Sequence, residues 1–187
     1  MARNAIVFVF TFVLALLVSK SATAHDIGWR WQTSTVRFQN INTSYGSAIC
    51  RAAANYDGTD LTAPCVSNWS SNEVINYYQG TYGSGYDMGW AVPYYDSQPC
   101  VTAGGKTITG NCNTTTHKAN FAEVFFNLTY QNGINLNSDW LPRHESGHVL
   151  GLAHGGCSEV SIMRIFSCSS LYSTLQTHDI ATMNSWY

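Results

Sequence analysis

Apolar residues open the chain in one block and then scatter into short periodic groups. Arg3 precedes a run, Ala5 to Val18, that carries no charge, and Ser19 to Ala24 turns small and polar, ending Ala22-Thr23-Ala24. That is the plan of a secretory signal peptide, with cleavage expected after Ala24. A membrane anchor needs about 20 apolar residues, and this run is shorter. No other stretch is long enough to span a bilayer, so residues 25–187 are expected to form one soluble, secreted domain with no membrane contact after cleavage.

Beyond the signal, Val36 to Ile41 predicts a first strand, entered from the aromatic pair Trp29 and Trp31. Tyr45 to Asn55 carries Ala48, Ile49, Ala52 and Ala53 at helical spacing, and Asp57-Gly58 stops it. Val74 to Tyr82 and Met88 to Tyr95 read as strands parted by Gly83-Ser84-Gly85, and Lys106 to Asn113 as a short edge strand. Phe121 to Tyr130 is the clearest strand, with Val124, Phe126 and Leu128 on one face. Asn132-Gly133 breaks it. Ser138 or Asp139 can then cap a helix from Trp140 to Leu150, and a last helix covers Thr177 to Tyr187 with Ile180 and Met183 inward. Strands in the middle and helices late predict an α+β fold, a sheet with helices on one side.

Composition narrows the class. Without residues 1–24, which hold Arg3 and Lys20, seven basic residues face eleven acidic ones, a formal charge of −4 with histidine neutral. That excludes the basic footprint of a nucleic-acid binder. Six cysteines remain, Cys50, Cys65, Cys100, Cys112, Cys157 and Cys168, and an even number in an exported chain argues for disulfides. Sequence does not choose among the pairings; grouping by nearness gives Cys50–Cys65, Cys100–Cys112 and Cys157–Cys168, with other pairings of Cys157 and Cys168 left open. No C-x-x-C pair supports a cysteine metal site. Four N-x-[ST] sequons begin at Asn42, Asn68, Asn113 and Asn127.

The chemistry is concentrated in His144-Glu145-Ser146-Gly147-His148-Val149-Leu150-Gly151-Leu152-Ala153-His154. Residues four apart share a helix face, so His144 and His148 can offer two imidazoles to one ion. Gly151 supplies the freedom to turn the chain and return His154 as a third ligand. Three protein ligands with one open position are what a catalytic zinc ion requires. Such an ion lowers the pKa of its water towards ~7, and Glu145, beside the first ligand, serves as the base.

This segment resembles the extended H-E-x-x-H-x-x-G-x-x-H signature of the metzincin clan of zinc endopeptidases, matching every fixed position. Met163, in Ser161-Ile162-Met163, looks like the clan's Met-turn, which lies beneath the metal. Leu175 to Ile180, and the ending Trp186-Tyr187, are similar to the closing helix of matrixin catalytic domains. The resemblance implies a zincin-like architecture, a twisted mixed sheet on helices with a small C-terminal subdomain below a zinc cleft. It also implies hydrolysis of internal bonds in a polypeptide substrate by a monomer. Asn120 to Asn127 then corresponds either to the edge strand that binds substrate or to the buried strand beside it. Arg164 to Tyr172 would border the pocket beyond the scissile bond, where Arg164 could meet an acidic group or simply be solvated.

Departures limit the subfamily. Gly155 follows the third histidine, and Arg164-Ile165 follow Met163, where astacin-like and serralysin-like enzymes place a tyrosine. No calcium loop motif supports a second metal, and no cysteine-switch motif is present. His117 and His178 read as surface residues. His25 would become the mature N-terminus, a position able to chelate copper, with no other feature in support. The competing reading is a secreted binding or adhesion module on the same scaffold; an intact Glu145 counts against it.

Overall fold

In the computed structural model, alternation along two neighbouring strands builds the centre of the core. Ile75 and Tyr77 on one, and Ala122, Val124 and Phe126 on the other, point to the same side of the sheet and are fully buried. The structure describes residues 30–95, 98–99, 118–130 and 139–187. The signal peptide, His25, Cys100, Lys106 to Asn113, Cys112, His117, Asn132-Gly133 and Ser138 lie outside the described residues.

The strands are β1 (Arg30–Trp31), β2 (Arg37–Asn40), β3 (Cys65–Val66), β4 (Val74–Gly80), β5 (Gly89–Tyr95), β6 (Gln98–Pro99), β7 (Lys118–Ala119) and β8 (Phe121–Asn127). The helices are α1 (Gly46–Tyr56), α2 (Trp140–Val149) and α3 (Thr177–Asn184). β1 and β7 form a parallel pair, and the main sheet runs in the order β3-β2-β4-β8-β5-β6. β2, β3, β4 and β8 are parallel, whereas β5 is antiparallel to β8 and to β6. The fold is therefore α+β with a mixed sheet, as the order of patterns predicts.

β8 is an interior strand between β4 and β5, so Phe121–Asn127 does not form an edge of the sheet. β6 pairs only with Tyr94 and Tyr95, so among the described residues Gly89 to Pro93 of β5 have no outer neighbour. Pro93 fits this edge, since it has no N–H to donate.

α1 buries Ala48, Ile49, Ala52, Ala53 and Tyr56 against β2 and α2. Asp57 follows it and accepts Ala63 N at 2.8 Å. Disulfide Cys50–Cys65 ties α1 to β3, and Cys157–Cys168 closes a loop after α2; both pairings match the nearest-neighbour expectation. β8 stops at Asn127 instead of Tyr130, because Asn127 Oδ1 takes Thr129 N and Leu128–Tyr130 becomes a 3-10 turn. α3 stops at Asn184 instead of Tyr187. Tyr187 turns back, accepting Trp31 N at 2.7 Å and donating to Leu150 O at 3.1 Å.

Asp139 precedes α2 but makes no side-chain cap. Its carboxylate is taken by Arg51, in a forked pair at 2.7 and 2.9 Å, and by Arg143 at 3.4 Å. Hydrogen bonding from Arg51 first, then the charges of Arg143 and Arg51, hold Asp139 below the usual carboxylate range. A depressed carboxyl stabilises the fold above its unfolded pKa of about 3.9, and that contribution disappears as pH falls through the lower folded value. Asp139→Asn is therefore expected to lower the urea midpoint at pH 7 and to have a shrinking effect as pH falls below about 3.9, the unfolded carboxyl value.

Candidate metal centre

α2 runs through the interior: every residue from Trp140 to Gly147 is buried. Pro142 falls in its first turn, where a missing N–H breaks no helical bond. A polar helix is costly to bury unless its groups find partners, and two tyrosines supply them. Tyr56 OH donates to Arg143 O at 2.7 Å, and Tyr77 OH lies 2.6 Å from Ser146 Oγ, which itself donates to Pro142 O at 2.5 Å.

His144 and His148 project from one face of this helix, their ring centres 4.8 Å apart. Gly151 follows with φ 104°, in the left-handed region that glycine enters freely, and the chain turns back. His154 then faces both rings, its Nε2 3.1 Å from His144 Nε2 and 3.0 Å from His148 Nε2. A tetrahedral zinc site with Zn–N near 2.05 Å has N···N edges of about 3.3 Å, so the three nitrogens stand close to the required triangle.

The tautomers strengthen the case. His144 Nδ1 lies 3.0 Å from Ile162 O and His148 Nδ1 lies 2.9 Å from Leu152 O. Each Nδ1 must carry the proton to meet a carbonyl, which leaves each Nε2 with a lone pair. Two lone pairs then converge on His154, whose single Nε2 proton could serve only one of them. A shared cation satisfies all three. Burial pushes His144 well below its ordinary pKa, and His148 to about 3, so both rings are neutral donors. His154 is also lowered by desolvation, with the Asp87 carboxylate acting the other way.

Glu145 is 4% exposed and lies against β5, where a Cβ on Gly89 would sit 2.8 Å from Glu145 Oε1. Burial, then the nearby charge of Asp87, raises it to about 8. Met163 is fully buried, and a Cβ on Gly147 would collide with its Sδ, so the sulfur packs against α2 at Gly147. The predicted ligands, base and methionine are thus brought together. His178 lies on α3, outside the cluster.

Arg164 does not face a ligand. Its guanidinium is buried, donating to Glu159 O, Ser170 O and Ser170 Oγ, with the Tyr172 ring 4.7 Å away. Among the sequons, Asn127 is fully buried and engages both its amide groups, so it is not an open glycan acceptor.

Sequence reading missed Asp179. This fully buried carboxylate accepts Ser161 Oγ at 2.6 Å, Ile162 N at 2.9 Å and Gln176 N at 2.8 Å. The Ile162 peptide therefore joins Asp179 to His144. Locally, an acid three residues into a helix signals only a cap; its reach to Ile162 had no sequence signature.

No known protein-family model matches the chain, and no curated protein matches its sequence.

Asp179→Ala is expected to lower metal affinity about ten- to a hundredfold in chelator competition, because the Ile162 peptide that carries the His144 partner loses the carboxylate that anchors it. Gly147→Ala forces Met163 aside and is expected to cost about 1–3 kcal/mol in denaturant unfolding.

Proposed function

We propose that the protein is a secreted, zinc-dependent endopeptidase of metzincin type, closest to the matrixin catalytic domain. The observation that carries this reading is the triangle of His144, His148 and His154 nitrogens with Glu145 buried beside it on the same helix. A purely structural metal site normally fills its fourth position with protein, and three imidazoles leave that position for a substrate. The α+β mixed sheet, with one antiparallel strand at the side of α2, is compatible with a zincin-like architecture. Two disulfides fit an oxidising compartment, and no described helix is long and apolar enough to cross a membrane.

When bound, zinc supplies Lewis acidity to the attacking water and to the scissile carbonyl. Ile162 O and Leu152 O hold the His144 and His148 rings with Nε2 forward. Glu145, raised to about 8 by burial, would be favoured in its ionised form by the positive charge of a bound ion, and would then take the proton of the attacking water and return it to the departing amine nitrogen. The outer edge of β5 from Gly89 to Pro93, unpaired among the described residues, would offer backbone N–H and C=O groups to an extended polypeptide and align its peptide bonds past Glu145. Ile165 and Phe166, 38% and 47% exposed just after Met163, provide an apolar wall, with Phe166 6.3 Å from Trp140.

Glu145→Ala is expected to retain the fold and zinc while hydrolysis of an unfolded protein substrate falls at least a hundredfold, the lower range for a general base. His154→Ala is expected instead to lose zinc. Chelator-sensitive cleavage measured beside both variants checks the assignment, and activity retained in Glu145→Ala would sink it.

A further inference from the structure

The loop feeding β5 is held with unusual firmness. Asn127, fully buried at the end of β8, accepts Tyr82 N at 3.1 Å and donates to Gly83 O at 2.9 Å and Asp87 O at 3.2 Å. Its own backbone N–H bonds Met88 O at 2.8 Å, extending the ladder one residue before β5. Gly83 N meets Thr129 Oγ1 at 2.9 Å, and Tyr130 OH donates to Ser84 O at 3.1 Å. Both ends of the Tyr82–Asp87 segment are thereby fixed to β8.

What the loop presents is Asp87. It is exposed, and among the described residues its carboxylate makes no hydrogen bond or ion pair. It stands two residues before Gly89, where a Cβ would meet Glu145 Oε1, at the point where the chain enters β5. Its charge reaches both Glu145 and His154. A second acidic group beside a buried carboxyl is unfavourable for the fold, and among the described residues no cation is paired with it. The described cations are engaged elsewhere. Arg37 pairs with Glu73 and Arg51 with Asp139; Arg143 and Arg164 are buried on backbone carbonyls; Arg30 lies over the Trp186 ring. Lys118 precedes the opposite end of β8.

We propose that Asp87 is a specificity-determining residue that receives a lysine or arginine side chain of the polypeptide lying along β5. The inference rests on the peptidase reading above. The bond to be cut must pass Glu145 beside Gly89. A strand paired with β5 therefore brings opposite Asp87 a residue about two positions from that bond.

The test uses the mature zinc-loaded chain and peptides that differ only in lysine, glutamine or glutamate at each position flanking the scissile bond. The expected result is a preference for lysine over glutamine of roughly fivefold in kcat/KM at one position, the size of an exposed ion pair. It should fade as salt is raised. Asp87→Asn should level the preference, and Asp87→Lys should turn it towards glutamate. Equal rates for all three peptides, or a lysine preference that survives Asp87→Asn, would overturn the proposal while leaving the peptidase reading intact. Absence of any cleavage that depends on Glu145 would remove both.

Discussion

Three imidazole nitrogens pointed at one small volume form an arrangement that a protein does not hold without support. Two of them carry lone pairs with no proton between, and their mutual repulsion must be offset by groups fixed behind the rings. Those groups are backbone carbonyls, of Leu152 in the turn after α2 and of Ile162 before Met163. Backbone is the stiffest available partner, but it moves with its loop. The position of His144 therefore depends on whatever holds Ser161–Met163, and that is Asp179 on α3. The last helix reaches the site through one peptide unit.

The same logic explains the burial of α2. Its two histidines face the His154 ring from a helix whose own polar backbone is also inside. Tyr56 and Tyr77 carry aromatic rings into the core, stacked through Phe38 at 5.9 Å on either side, and deliver hydroxyls to the helix. Each ring therefore contributes apolar contact at one end and a hydrogen bond at the other. Burial of neutral imidazoles costs less than burial of imidazolium, which is why His144 and His148 are shifted down.

Legibility in the sequence followed interaction range. α1 and α2 and the cores of β4, β5 and β8 were visible because periodicity is local, and His144, His148 and His154 because their geometry is set by eleven consecutive residues. Element ends were misplaced where a distant side chain intervened, as at Asn127 and Tyr187. Asp139 looked like a cap and is an ion-pair partner, since nothing local announces Arg51. The two-residue strands β1, β3, β6 and β7 have no pattern of their own and exist through their neighbours. Asn127 was read as a sequon from three letters, whereas its role is set by a loop more than forty residues earlier.

Cys157–Cys168 has a consequence that depends on where its loop lies. The loop carries Val160, Ile165 and Phe166 to the surface, and an exposed apolar loop is an easy target for hydrolysis. Under the endopeptidase reading proposed above, such a loop would be exposed to cleavage by other copies of the same chain. A nick between Cys157 and Cys168 leaves the two fragments covalently tied, so the Met163 side of the site is not released with the cut end. The cross-link converts damage by a neighbouring molecule from loss of the lobe into a tolerated scar.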